Sequence, residues 1–336
     1  MLLGLIGLGL AFVAYRAEAR RVGTVTGVIA LVATVAICFP LVASWRAADH
    51  YGTDLSVGDY LEGGSNEGKP VEALSVVYNE VDGQQLKLDA KVPPGTPARP
   101  RPAVVWVHGG GWNVGDRGEV PLWHKWLNDK GYAVFAIDYR LAPPTRWDQA
   151  PADVKCAIGW VKSQAQRYQV DPNRVMIAGG SAGGNLTLMG AYSDERVKPS
   201  CEVQDTSVKA AMAFYPAVSL NITWDQSGFQ SKVRPWIRNY TGGTPQEVPQ
   251  HYTFASADTY VRPGLPPTLL MHGDRDHIAP YAGSVMLADK LRQAGVKHEL
   301  VTIPYAEHIF DFAWNTWGTQ ICRQAMERFL MENFPV

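Results

Sequence analysis

The 336-residue sequence predicts an α/β protein: a mostly parallel central sheet flanked by helices, preceded by an N-terminal transmembrane helix or helical hairpin. Three observations carry this. From about residue 74, short β-branched apolar runs alternate with stretches of helical spacing. Several runs end in glycine, as in "PAVVWVHG" (102–109) and "RVMIAGG" (174–180). Before them, residues 22–45 contain no charge, and about 20 apolar residues suffice to cross a bilayer core. Apolar residues make up 46% of the chain, enough for a sizeable core, and the formal net charge of −1 leaves no basic footprint for nucleic acid.

The elements follow in order. Residues 1–45 read as a membrane anchor. The first apolar run, 1–15, is short for a full span, so the segment holds either two helices with Arg16, Arg20 and Arg21 between them or one span at 22–45. Either way the arginines precede the long run, and the positive-inside rule sends everything beyond it out of the cytoplasm. A cleaved signal is the competing reading, but the run is long and "LVASWRA" makes a poor cleavage site. Residues 46–72, polar and glycine-rich, read as a linker to an α/β domain over 73–336.

Within that domain, "ALSVVYN" and "QLKLDAKV" flank Asp82-Gly83 as a hairpin. Buried strands follow at 102–109, 132–140, 174–180, 208–217, 266–274 and 297–304. Helices are expected at 151–168, after 184, at 281–294 and at 316–333, and residues 218–263 read as an irregular, aromatic, lid-like insertion. Of the four cysteines, Cys38 lies in the apolar run. Cys156, Cys201 and Cys322 allow at most one intramolecular disulfide, and their spacing suits no zinc site.

The chemistry gathers at four places. Gly179-Gly180-Ser181-Ala182-Gly183 is G-x-S-x-G between a strand and a helix, the context of a nucleophile elbow that lifts a serine to the sheet edge. "HGGGW" (108–112), directly after a strand, offers bare backbone that can approach an oxyanion; Gly110, Gly111 and Ala182 are the expected donors, with His108 as a buttress. "HGDRDHIAP" (272–280) supplies Asp276 as the orienting carboxylate, with Asp274 tying down the turn and His272 and His277 structural. "YAEHIFDF" (305–312) supplies His308 as the base, completing the chain order Ser…Asp…His. Trp112, Trp147, Trp224, Phe229 and Trp236 are candidates to line a substrate pocket.

These motifs, with "DYRLAP" (138–143) and "QAPADVKCAIGWV" (149–161), resemble the α/β-hydrolase family and its hormone-sensitive-lipase-like carboxylesterase branch over about residues 75–333. The sequence departs from many members at Gly180, where they carry Asp or Glu, and the 46–70 segment does not look like their helical cap. The resemblance implies a serine hydrolase of carboxylic esters acting through an acyl-enzyme without metal or organic cofactor, and the N-terminal anchor beside it points to a small-molecule or lipid ester. Two alternatives stand beside it: an amidase or formamidase with the same triad, and a non-catalytic interaction protein on the same fold. Sequence alone leaves the acyl chain, the alcohol and the oligomeric state open.

Overall fold

The computed structural model describes residues 2–16, 20–66 and 72–334 and divides into two compact units, Met1–Leu55 and Ser56–Val336. The first unit is two helices, Leu2–Arg16 and Arg20–His50. They pack on small residues. A Cβ at Gly23 would lie 2.6 Å from the Tyr15 backbone nitrogen, and one at Gly7 would meet the Ala30 methyl at 3.1 Å, so bare Cα atoms let the backbones approach. Arg21–His50 is long and apolar enough to cross a membrane. Two of its hydroxyls are satisfied within the helix: Thr34 donates to Ala30 O at 2.7 Å and Ser44 to Pro40 O at 2.9 Å.

The second unit holds an eight-stranded sheet: β1 Leu74–Val81, β2 Gln84–Lys91, β3 Arg101–Val107, β4 Ala133–Ile137, β5 Val170–Gly180, β6 Ala211–Phe214, β7 Thr268–Gly273 and β8 His298–Ile303. The spatial order is β1-β2-β4-β3-β5-β6-β7-β8. β1 pairs antiparallel with β2, and β2 with β4; every later pairing is parallel. Residues of β3 and β4 are buried throughout, because helices cover both faces of a parallel sheet. Register sets the function. Val107 pairs with Gly179, Gly180 with Phe214, Phe214 with Met271 and Gly273 with Ile303, so β3, β5, β6, β7 and β8 all end at one edge. The loops that carry the four motifs therefore meet there.

Three sequence expectations change. Residues 218–263 are not irregular: helices run over Leu220–Gln226, Gln230–Thr241 and Pro249–Phe254. Val233, Ile237 and Tyr240 form a buried i, i+4, i+7 stripe on the second, which Pro235 and the local aromatic density obscured. In the 46–72 tract read as linker, residues 67–71 lie outside the described residues. From Ser56 onward the described part is ordered within the second unit. The Ser56 N–H donates to Gln320 Oε1 at 2.7 Å, and Asn66 N–H to Phe312 O at 2.7 Å. Glycine and polar residues here serve turns and caps rather than slack: Ser56 caps the helix Val57–Glu62. The cysteine alternatives also resolve. Cys156 and Cys201 form a disulfide with Cα atoms 5.4 Å apart, and Cys322 is a buried free thiol.

Candidate active site

The turn after β5 places Ser181. Its φ of 59° and ψ of −121° lie outside the regions a non-glycine residue ordinarily adopts. The turn holds because its neighbours leave no room to relax. A Cβ on Gly183 would collide with the carbonyl oxygens of Val107 and His108, so the elbow lies directly on the end of β3. The Ser181 N–H donates to Phe214 O at 3.0 Å, tying the elbow to β6. A Cβ at Gly180 would sit 3.1 Å from the Tyr215 ring, so the position is tight for any larger residue.

His308 Nε2 lies 2.8 Å from Ser181 Oγ, and His308 Nδ1 lies 2.7 Å from Asp276 Oδ2. Asp276 Oδ1 accepts the N–H groups of Ile278 and Ala279, each at 2.8 Å. Burial by itself pushes the Asp276 carboxyl up, but the hydrogen bonds and charges of His272 and His308 outweigh it and hold the group well below the ordinary carboxylate range. Asp274 faces elsewhere, accepting the Tyr305 N–H at 2.7 Å. The His308 loop is fastened from two sides. Asn66 accepts the Leu122 N–H at 2.9 Å while donating its own backbone N–H to Phe312 O, and buried Asp311 accepts Tyr215 OH at 2.6 Å and Trp123 Nε1 at 2.7 Å.

Gly110 and Gly111 border the same cavity as Ser181, at φ of 97° and 59°. A Cβ on Gly110 would strike Val114 O, and one on Gly111 would lie 2.8 Å from Trp236, so only glycine fits either place. Ala182 opens the helix Ala182–Tyr192, where a first-turn N–H has no intrahelical acceptor. His108 is buried, its Nδ1 2.8 Å from Gly109 O, and its ring stacks on Tyr139 at 4.4 Å. It faces its own loop and not Ser181.

The motifs did not reveal Glu119. Its Oε2 accepts the Gly109 N–H at 2.6 Å, bracing the glycine loop, and its carboxyl borders the cavity. Desolvation pushes it up to about 7. Arg117, clamped between Asp89 at 2.8 Å and Asp138, fixes the loop that delivers it; Asp138 opens "DYRLAP". No short motif marks Glu119, since its role depends on a loop that folds back ten residues.

The cavity at Ser181 has a volume of about 530 Å³. Phe229 and Trp236 line it. Trp112, Trp147 and Trp224 do not. Trp112 stacks on Tyr240 and donates to buried Asn185 at 3.3 Å; Trp147 stacks on His251; Trp224 packs against Tyr252. Trp112 and Trp147 fasten inserted helices to the loops that follow β3 and β4, and Trp224 joins two of those helices, a use of aromatic area that loop position alone cannot distinguish from substrate contact. Trp106, Phe214, Tyr215, Ile278 and Ile309 take their place on the cavity wall. Among the described residues no cluster of three or more His, Cys, Asp or Glu could hold a metal ion.

A serine beside an imidazole, a carboxylate behind it and bare backbone N–H groups at a helix start can form and stabilise a tetrahedral oxyanion. Known proteins resemble this chain. The chain is 31% identical over 236 residues to the probable carboxylic ester hydrolase LipM and 30% over 240 residues to esterase LipQ, both of Mycobacterium tuberculosis. These alignments take in 69% and 70% of this chain but 54% and 56% of the relatives, so the chain spans about half the length of the curated proteins it matches. Thermogutta terrifontis esterase 2, phosphonylated by sarin, superposes with a TM-score of 0.68 at 26% identity, covering 80% of this chain and 98% of that one. Residues 88–291 match the BD-FAE family. The chain thus belongs to the BD-FAE family and to the α/β-hydrolases, the fold that the elbow and the glycine loop resemble in sequence.

Proposed function

We propose that this protein is a membrane-anchored serine carboxylic ester hydrolase. The observation that carries the reading is the continuous chain of contacts Ser181 Oγ, His308 Nε2, His308 Nδ1, Asp276 Oδ2, with links of 2.8 and 2.7 Å. In this reading His308 takes the serine proton as Ser181 Oγ attacks the ester carbonyl. The oxyanion is received by the N–H groups of Gly110, Gly111 and Ala182. His308 then protonates the departing alcohol, and a water activated by the same imidazole releases the acid. Asp276 keeps Nδ1 protonated and Nε2 free to accept. The names of the M. tuberculosis relatives and the covalent adduct of the T. terrifontis esterase support the reaction class.

The wall is apolar around Trp106, Phe214, Phe229, Trp236 and Ile309, which suits the ester of a small or lipid-derived acid. The apolar helix Arg21–His50 and the arginines before it support an anchor with the catalytic unit outside the cytoplasm. The Cys156–Cys201 disulfide supports the same side, because oxidising compartments preserve such bonds. Ser181→Ala tests the reaction. The variant is expected to lose p-nitrophenyl ester hydrolysis and fluorophosphonate labelling together, and retained turnover would refute the assignment. A reporter fused after Val336 tests the topology: activity only on the cytoplasmic side would reverse it.

A further inference from the structure

We propose that His272 is a positioning residue of the same relay, holding Asp276 and setting how strongly that carboxylate supports His308. The inference rests on the Ser181–His308–Asp276 reading above.

His272 is the next-to-last residue of β7 and is fully buried. Its Nε2 faces two oxygens, Asp276 Oδ2 at 3.1 Å and Ala279 O at 2.9 Å. Both only accept, so Nε2 carries the hydrogen. Its Nδ1 lies 2.7 Å from Ser284 Oγ on the helix Tyr281–Gln293. The serine hydroxyl can donate there, which leaves both ring nitrogens with partners. Asp276 Oδ2 is therefore shared between two imidazoles, His272 on the core side and His308 on the substrate side.

Sharing has two effects. It stops the carboxylate from turning, since Oδ2 is held from both sides while Oδ1 is held by Ile278 and Ala279. It also draws negative charge from the oxygen that faces His308, so the imidazolium is favoured less than it would be by an unshared carboxylate. Five other ionisable groups lie close. The Tyr215 ring is 4.7 Å from His308 and the Tyr281 ring 5.7 Å from His272; Asp311 accepts the Tyr215 hydroxyl, and Glu307 pairs with exposed His277. Glu119 stands beyond Asp311. All six remain when His272 alone is replaced.

The test measures kcat and KM of the full-length chain in detergent micelles with a p-nitrophenyl ester, from about pH 5 to 9. His272→Leu is expected to lower kcat about tenfold with KM within about twofold, and to move the acidic limb of kcat/KM up by about half to one pH unit. His272→Gln places an amide N–H near the position of Nε2 and is expected to restore the limb and most of kcat. A folded His272→Leu enzyme with the wild-type limb overturns the proposal. So does equal loss in both variants with an unmoved limb, which would mean packing alone. Ser181→Ala measured alongside reports on the triad reading separately. Should His272→Leu fail to fold, nitrogen NMR of the wild-type histidines decides. The proposal expects His272 protonated at Nε2 and shifting where His308 titrates; a His272 blind to that titration overturns it.

Discussion

Replacing Glu119 with glutamine separates the charge of this side chain from its hydrogen bond to the oxyanion loop. The carboxyl borders an apolar cavity and is desolvated, which raises it from the ordinary 4.5 to about 7. In the unfolded chain it returns to the ordinary value. Between about pH 4.5 and 7 the folded protein thus holds a proton that the unfolded chain has lost. Stability contributed by this group is fully present below about pH 4.5, declines as pH rises, and is gone above about 7. The displacement corresponds to at most about 3 kcal/mol. In a folded unit of roughly 280 residues, about 2 °C of melting temperature accompanies each kcal/mol, so the decline is about 6 °C. The assay is thermal unfolding of wild type and Glu119→Gln in the same micelles at pH 4.5, 6 and 8. The wild type should lose stability across this range relative to the variant, whose amide does not titrate. Identical pH dependence in the two proteins would refute the reasoning. Activity gives a second readout. The amide oxygen of the glutamine variant still accepts the Gly109 N–H, so Glu119→Gln should change kcat only a few-fold. Glu119→Leu strands that N–H at a cost of about 1–3 kcal/mol and should lower kcat further.

The two neighbouring aspartates should separate cleanly. Asp276→Asn is expected to lower kcat by about 10⁴ through the wrong imidazole tautomer, whereas Asp274→Asn, which only loosens the Tyr305 turn, should stay within about tenfold, and steady-state kinetics on the two variants decides. The Cys156–Cys201 bridge closes a separation of 45 residues, so opening it should destabilise the fold by about 4 kcal/mol. Thermal unfolding of Cys201→Ser against wild type reads this, and thiol titration in denaturant should find Cys38 and Cys322 free and the other two oxidised.

Much of the fold was legible because its signals are local. Buried parallel strands must be apolar on both faces, and their ends announce themselves in glycines that the site requires for close approach. Hence "RVMIAGG" and "PAVVWVHG" located β5 and β3, and Asp82-Gly83 located the hairpin of β1 and β2. The pairing of Asp276 with His308 was readable from chain order, because topology fixes which loops can reach the edge. The inserted helices were not legible, since a proline and a crowd of aromatics broke the apparent period while burial still selected Val233, Ile237 and Tyr240.

By itself, then, the sequence determined the strand alternation, the charge-free N-terminal run and which serine, aspartate and histidine stand as candidates, because each depends on residues adjacent in the chain or on a fixed topological order. Only the tertiary structure decided which tryptophans face the cavity, that Glu119 braces Gly109, that Asn66 fastens the His308 loop, and that Cys201 joins Cys156. Each of these joins parts of the chain whose distance in space is set by sheet register and helix packing, and no local pattern encodes that distance.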